Sequence, residues 1–331
     1  MEIVFFNRKG GKGVVSIQEN FRPLIAELSK NNDVKVYDVP YDRSHPVNII
    51  KNIFFIRKHS TKHGVNHITG DIHYGVLGLL GRKSVLTIHD DYSVRQARGG
   101  LFGKLYKLLF WIYLPIMFSK APVCTTPSTL KNIKKYYNSK KLIVITHHVV
   151  PQILTDKKKP FNKECPVFLQ IGTNKNKNLE TTLEVLKNLC CKLLVLKPMS
   201  ADQIKKANDY KINFENKWDL PYESVVCEYD KCDVVLFPSL FEGLGVPIFE
   251  GQAAGKPVIT TNREPMNWTA GDGAVLLDDP LNVEDYRKAV LRVIHDDKYR
   301  NELVKKGKKN AERFSLKKSV EKYEELYKSL L

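Results

Sequence analysis

Two glutamates eight residues apart, Glu242 and Glu250, stand in the most chemically informative stretch of the chain, Asp233-Val-Val-Leu-Phe-Pro-Ser-Leu-Phe-Glu242-Gly-Leu-Gly-Val-Pro-Ile-Phe-Glu250. An apolar run that reads as a buried strand ends at Pro238-Ser239. The chain then turns through Gly243 and Gly245, and a helix begins with Pro247 in its first turn, where proline costs no hydrogen bond. Such a connection aims backbone N–H groups and the positive end of a helix at one spot, which favours a bound anion. Two carboxylates there can hold the hydroxyls of a sugar in pairs. The plainer alternative is a strand–turn–helix connection whose glutamates face solvent, since two glutamates at this spacing mean nothing alone.

A second feature lies in the first half, where the strand Ser84–Ile88 delivers His89, followed by Asp90 and Asp91. The carboxyl edge of a parallel strand is where such sheets bind ligands. Either aspartate can orient the imidazole through a ring N–H, although a lone histidine is also a common structural residue. The loop Arg8-Lys-Gly-Gly-Lys-Gly13 has neither the spacing of a phosphate-binding P-loop nor a G-x-G-x-x-G pattern. No D-x-D pair stands beside a strand, and Asp278-Asp279-Pro280 reads as a turn, so no metal site is expected.

The Asp233–Glu250 stretch, continued by Ala253-Ala254-Gly255-Lys256-Pro257, closely resembles the nucleotide-sugar site of family 4 glycosyltransferases, retaining enzymes of the GT-B fold. Glu242 and Glu250 match their E-x7-E motif. The resemblance runs through most of the C-terminal half, including Gln170-Ile-Gly-Thr-Asn-Lys-Asn-Lys177-Asn-Leu, Glu223 to Pro238, and Glu264-Pro-Met-Asn-Trp-Thr-Ala-Gly-Asp-Gly-Ala. It is weaker in the N-terminal half.

The resemblance implies that Glu242 contacts the donor hexose, helped by the amides of Gly243, Leu244 and Gly245, and that Glu250 binds the nucleotide ribose. It implies that Lys177, beside Gly172, neutralises the departing diphosphate; without its flanking residues Lys177 would read as a solvated lysine at a helix start. Thr173 stands where many members carry an arginine, which leaves open whether Lys175 supplies a second positive charge. His89 matches the histidine that positions the transferred sugar. The loop with Gly11 and Gly13 matches one that closes over donor and acceptor. Asp71 or His73 is placed to meet the acceptor hydroxyl, with Asp71 as a helix N-cap the equal alternative. Nucleotide-base selectivity is expected near Lys197-Pro198 and Lys217-Trp218-Asp219-Leu220.

These residues need elements to hold them, and the whole chain alternates short β-rich runs with amphipathic stretches, the pattern of parallel sheets covered by helices. Strands are predicted at Ile3–Phe6, Val34–Val39, Val65–Thr69, Ser84–Ile88, Pro122–Thr125, Leu142–Ile145, Val167–Ile171, Leu193–Leu196, Val234–Pro238 and Val258–Thr260. The fold class is α/β: two doubly wound Rossmann-like domains facing a cleft, the GT-B arrangement. Residues 1–150 are expected as one domain, 151–165 as a linker and 166–313 as a second domain, and the resemblance implies that the two domains bind acceptor and nucleotide sugar respectively. Residues 314–331 read as a C-terminal helix, with apolar Leu316, Val320, Tyr323, Leu326 and Tyr327, which the resemblance implies crosses back to the first domain.

At 331 residues the chain is long enough for two cores, and 43% hydrophobic with 27% charged residues is ordinary for a globular protein. The net charge of +17 is unevenly placed: residues 1–150 hold 23 basic and 9 acidic side chains. Such a field suits a membrane surface, a nucleic acid or a phosphorylated substrate. No helix-turn-helix, RNA-binding or zinc signature accompanies it, so a nucleic-acid partner is not expected. The segment Lys104–Lys120 brackets an apolar, aromatic run with lysines, and Arg57, Lys58, Lys62, Arg95 and Arg98 add charge nearby. Its longest apolar run, Leu108–Phe118, contains Pro115 and is about half of a bilayer span, so no crossing is expected. The chain opens directly into a strand, and its six cysteines lack any C-x-x-C pair; both read as a cytosolic protein with reduced thiols.

The expectation is therefore a retaining, metal-independent hexosyltransferase with Glu242, His89 and Lys177 at the reaction. It takes a nucleoside-diphosphate sugar and a saccharide acceptor, lipid-linked, in surface polysaccharide or glycolipid synthesis. Its place is the inner face of the cytoplasmic membrane, against an anionic surface. The alternatives are a non-catalytic sugar-nucleotide-binding relative and a basic nucleic-acid-binding protein.

Overall fold

The computed structural model describes residues 1–9, 16–41, 45–97, 99–146 and 160–331. The loop glycines Gly11 and Gly13, Arg98 and residues 151–159 of the expected linker lie outside these. The chain divides into two compact units, one of Met1–Val149 with Leu316–Leu331, the other of Val150–Ser315.

The first unit holds strands β1 (Glu2–Asn7), β2 (Asp33–Asp38), β3 (Val65–Ile68), β4 (Ser84–Ile88), β5 (Ala121–Cys124) and β6 (Ile143–Val144). They form one parallel sheet in the order β2-β1-β3-β4-β5-β6. Alternation along each strand sends side chains to two faces, and both faces are covered. Ile3, Phe5, Val65, Val85 and Val123 pack on one side with Phe21, Tyr323 and Tyr327; Val4, Phe6, Ile68, Leu86 and Ile88 pack on the other with Trp111 and Ile112. Continuous apolar strands therefore follow from a sheet buried on both sides.

The second unit holds β7 (Val167–Ile171), β8 (Lys192–Leu196), β9 (Asn213–Lys217), β10 (Val234–Phe237), β11 (Val258–Thr261) and β12 (Val275–Leu277). Its order is β12-β11-β10-β7-β8-β9, again all parallel. From β7 the chain winds outward through β8 and β9, then returns to β10 on the other side and winds outward again. Connections leaving β7 and β10 therefore diverge, which opens a crevice at their carboxyl ends. The sequence reading omitted β9 and β12. β9, Asn-Phe-Glu-Asn-Lys, is an edge strand that is only partly buried and lacks the apolar run that marks the inner strands.

The C-terminal helix, Leu316–Leu330, packs into the first unit. Tyr323 and Tyr327 are fully buried, and the Ser319 hydroxyl donates to the Thr146 carbonyl at 3.2 Å. The contact turns on His67, which lies between the rings of Phe5 and Tyr323. One imidazole nitrogen meets the Tyr327 hydroxyl at 2.7 Å, and the other the Thr87 hydroxyl at 2.8 Å.

The apolar segment after Gly99 corrects the expectation of a short run. Helical turns continue without a break from Gly100 to Phe118, through a π-helical stretch at Leu108–Tyr113. These 19 residues are long and apolar enough to cross a bilayer, and 22% of the most apolar window is buried. Trp111, Ile112, Pro115 and Ile116 pin one side of it to the unit.

Burial pushes the His67 imidazole down to about 3 from an ordinary value near 6.5, so the native ring is neutral at neutral pH. Between those values the unfolded chain binds a proton that the native protein does not. This contribution is therefore complete above about pH 6.5 and is lost as pH falls toward 3. The melting temperature is expected to drop between pH 7 and pH 5, and His67→Gln, whose amide can still bond both hydroxyls, should flatten that drop. An equally steep drop in the variant would assign the acid limb to other groups.

Candidate functional site

In the second unit the loops leaving β7 and β10 meet at the crevice. Residues 172–178 follow β7 and residues 238–245 follow β10, and the two strands are neighbours in register. The loops are stitched together: the Leu240 N–H donates to the Asn176 carbonyl at 2.7 Å, and the Asn176 amide donates to the Phe241 carbonyl at 3.0 Å. This stitching brings Lys177 Nζ to 2.6 Å from Glu242 Oε1, with only 21% and 14% of the two side chains exposed. The same ammonium lies 4.9 Å from the centre of the Phe237 ring.

Gly172 makes the arrangement possible. Its φ of +100° is a conformation side chains avoid, and a Cβ there would come within 2.7 Å of Lys177 Cγ. The lysine stem therefore crosses directly over the glycine. Thr173 turns away, its hydroxyl donating to the Pro198 carbonyl at 2.6 Å. Lys175 is exposed.

After Gly245 the helix Val246–Ala253 begins, with Leu244 buried against Phe249 and Phe314. Glu250 lies on this helix and is 2% exposed. Its Oε2 accepts from the Tyr229 hydroxyl at 2.6 Å, and its Oε1 accepts from Tyr222. Burial holds the Glu250 pKa above the usual carboxylate value, and the two phenols offset only part of that rise. Two buried polar atoms at the same strand ends, Gln170 Oε1 and Ser239 Oγ, have no partner among the described residues. Each such atom costs about 1–3 kcal/mol if nothing binds it.

In the first unit the carboxyl ends of β1, β3 and β4 form a pocket of about 270 Å³ lined by Arg8, Asp71, His73, His89, Ser93 and Trp111 among others. The His89 ring donates from Nε2 to the Thr69 carbonyl at 2.7 Å, which leaves the lone pair on Nδ1 when the ring is neutral. Burial lowers its pKa and favours that neutral form. Gly70 admits the ring: with φ at +140°, a Cβ would sit 2.4 Å from His89 Cδ2. The His89 carbonyl accepts from Thr125 at 3.1 Å and Thr129 at 2.9 Å, so backbone and ring are both fixed.

Asp71 is not the helix cap that one sequence reading allowed. The turn His73–Leu79 starts after Ile72 without a side-chain cap, and Asp71 instead pairs with Arg8 and accepts from Ser93 at 3.1 Å. His73 is buried, with Nδ1 donating to the Trp111 carbonyl at 2.7 Å, and burial lowers its pKa. It ties the apolar helix to the pocket floor. The Trp111 indole N–H is buried without a partner among the described residues, and Lys107 Nζ lies 3.4 Å from the centre of that ring. Among the described residues no group of three or more His, Cys, Asp and Glu is placed to hold a metal.

Sequence reasoning missed Arg8, Ser93, Lys107, Trp111, Tyr222 and Tyr229. The Tyr222–Tyr229 spacing, two helical turns, carries a signal that both face one way, but not what they face.

Part of the chain has counterparts among known sequences. Residues 152–310 match the family model of glycosyl transferases group 1. The O-antigen chain mannosyltransferase B of Escherichia coli is 33% identical over 97 residues, 29% of this chain and 24% of that protein. This chain spans about a quarter to a third of the length of the curated relatives it matches. A glycosyltransferase from Rickettsia africae superposes with a TM-score of 0.75 at 16% identity, over 99% of this chain and 98% of that one. HepE from Anabaena, solved with UDP and glucose, superposes at 0.73 with 12% identity, over 99% and 100%. The fold is thus that of solved glycosyltransferases, and the sequence likeness concentrates in the second unit.

The glycine geometry gives a stability test. Gly172→Ala is expected to destabilise by about 1–3 kcal/mol, because a left-handed backbone and the Lys177 stem both resist the methyl. Gly243→Ala, whose Cβ would meet nothing within 4 Å, should stay within about 0.5 kcal/mol. Denaturant unfolding of both variants decides it; equal losses would mean that the lysine stem is free to move.

Proposed function

We propose that the chain is a retaining, family 4 glycosyltransferase that moves a hexose from a nucleoside diphosphate to a saccharide acceptor. The observation that carries this reading is the Lys177–Glu242 ion pair at the crevice between β7 and β10, inside the segment that matches the family. A charge-neutral pair here presents one cation and one acceptor-only carboxylate. A donor offers their complements, a diphosphate for the ammonium and hydroxyl donors for Glu242. The ribose hydroxyls then fall to Glu250. That HepE was solved with UDP and glucose supports this class of donor.

In the reaction, the bond from the anomeric carbon to the diphosphate oxygen breaks while the acceptor oxygen bonds to that carbon on the same face. The acceptor proton passes to the departing phosphate oxygen. Lys177 meets the charge growing on the diphosphate, aided by the amides after Gly243, and needs no reorganisation at that moment. Lys177 and the amides supply this charge without a divalent cation. His89, neutral and held at ring and backbone, positions the transferred sugar rather than abstracting a proton. Asp71, Ser93 and Trp111 line the pocket for the acceptor. A second reading, a sugar-nucleotide-binding relative that does not transfer, is favoured by the turned-away Thr173.

The same reading places the protein as a peripheral one on the inner face of the cytoplasmic membrane, with a lipid-linked saccharide acceptor in surface polysaccharide or glycolipid synthesis. On the helix Gly100–Phe118, Leu101, Phe102, Leu105, Leu109, Met117 and Phe118 are exposed. Val47, Ile50 and Phe54 are exposed on the helix Pro46–His59, which ends in Arg57 and Lys58. Large exposed apolar faces beside lysines fit an interface of hydrocarbon and anionic headgroups. Each basic residue near such a surface adds about 1 kcal/mol.

Glu242→Ala is expected to lower transfer by about a hundredfold or more while nucleoside diphosphate binding, by titration calorimetry, persists. Full transfer by the variant would sink the assignment, and donor binding without transfer by the native chain would favour the second reading. Co-sedimentation with liposomes should rise with anionic lipid content and fall with salt, and Phe102→Ser with Leu105→Ser should reduce it further. Binding indifferent to lipid charge and salt, or none, removes the membrane placement.

A further inference from the structure

Glu250 is a buried carboxylate whose two oxygens are each held by a phenol, and the two phenols are not alike. Tyr229 is fully buried in the second unit and holds Oε2. Tyr222 is the first residue of the helix Tyr222–Lys231, leaves 50% of its surface in water, and holds Oε1. A carboxylate taken out of water needs donors, and either phenol alone leaves one oxygen bare. Tyr229 is a fixture; Tyr222 is a cover. Swinging the Tyr222 side chain outward uncovers Oε1 and leaves Oε2 in place.

We infer that the Tyr222 hydroxyl stands in for a ribose hydroxyl, satisfying Glu250 until the vicinal diol of a nucleotide displaces it. This rests on the reading of Glu250 as the ribose-binding group. The consequence is a built-in competitor: every ribonucleotide that binds must first replace a hydrogen bond that the protein already makes. A ligand lacking the hydroxyls has nothing to give Oε1 in return, so the cover also enforces selection for ribose.

The test is titration calorimetry of the native chain, Tyr222→Phe and Tyr229→Phe with UDP, GDP and ADP, and with the 2′,3′-dideoxy form of whichever binds. Removing the competing hydroxyl should tighten the ribonucleoside diphosphate by about three- to tenfold, the factor a single hydrogen bond provides. Tyr229→Phe should weaken it. The gain in Tyr222→Phe should vanish for the dideoxy ligand, a dependence that mere loosening of the site would not produce. Weaker or unchanged ribonucleotide binding by Tyr222→Phe overturns the inference, as does an equal gain with the dideoxy form. Failure of the native chain to bind any of the three diphosphates overturns the donor-site reading itself, and the inference with it.

Discussion

Lys177 reaches Glu242 only because two adjacent parallel strands send their connections in opposite directions. The loops that follow β7 and β10 meet beside the strand ends, and the side chains they bring together there carry opposite charge. As a stability device this pair is poor. Both groups are largely out of water, and the desolvation of two ions offsets most of their attraction. Its retention makes sense as an exchangeable arrangement, in which each charge is kept neutralised until a ligand brings a matching one. Gly172 is the price of that closeness, since the lysine stem occupies the space of any larger side chain.

The first unit repeats the logic with a second ion pair. Strand order reverses between β1 and β3, and Arg8 from one loop pairs with Asp71 from the other. Gly70 lets the His89 ring approach the backbone, as Gly172 does for lysine. Among the described residues, the buried side-chain polar atoms without a partner are Gln170 and Ser239 beside β7 and β10, and Trp111 in the lining of the first unit's pocket. Native proteins pair nearly all such groups, so an orphan beside a strand end or in a pocket marks a place where an outside partner fits.

Much of this was legible in the sequence because buried parallel strands are continuous apolar runs, and because the Glu242–Glu250 segment fixes strand, turn and helix within one short stretch. The inner strands of both sheets stand out for that reason, and β9 does not, since an edge strand with polar residues has no run to show. The partners of Glu250 were illegible for a different reason. Tyr222 and Tyr229 come from the helix before β10, Glu250 from the helix after it, and only tertiary packing joins them. Asp71 shows the converse. Its local sequence suits a helix cap, but Arg8, 63 residues away, offers a full charge, and an ion pair outbids a local turn of uncapped backbone.

The long apolar helix of the first unit shows why composition alone misleads about membranes. Counted as letters, its core run is too short to span a bilayer; followed through space, it is joined to the preceding turns by a π-helical segment. Each π turn closes with an extra residue, so the face that continues beyond it is rotated relative to an unbroken α-helix. That rotation lets Trp111, Ile112, Pro115 and Ile116 turn inward while Leu101, Leu105 and Leu109 before them, and Met117 after them, stay outward. A spanning helix needs apolar side chains all round, and this one is held to a sheet along one side. What remains is an apolar face lying along the surface of the more basic unit, a geometry that suits a helix resting in the plane of an interface better than one passing through it.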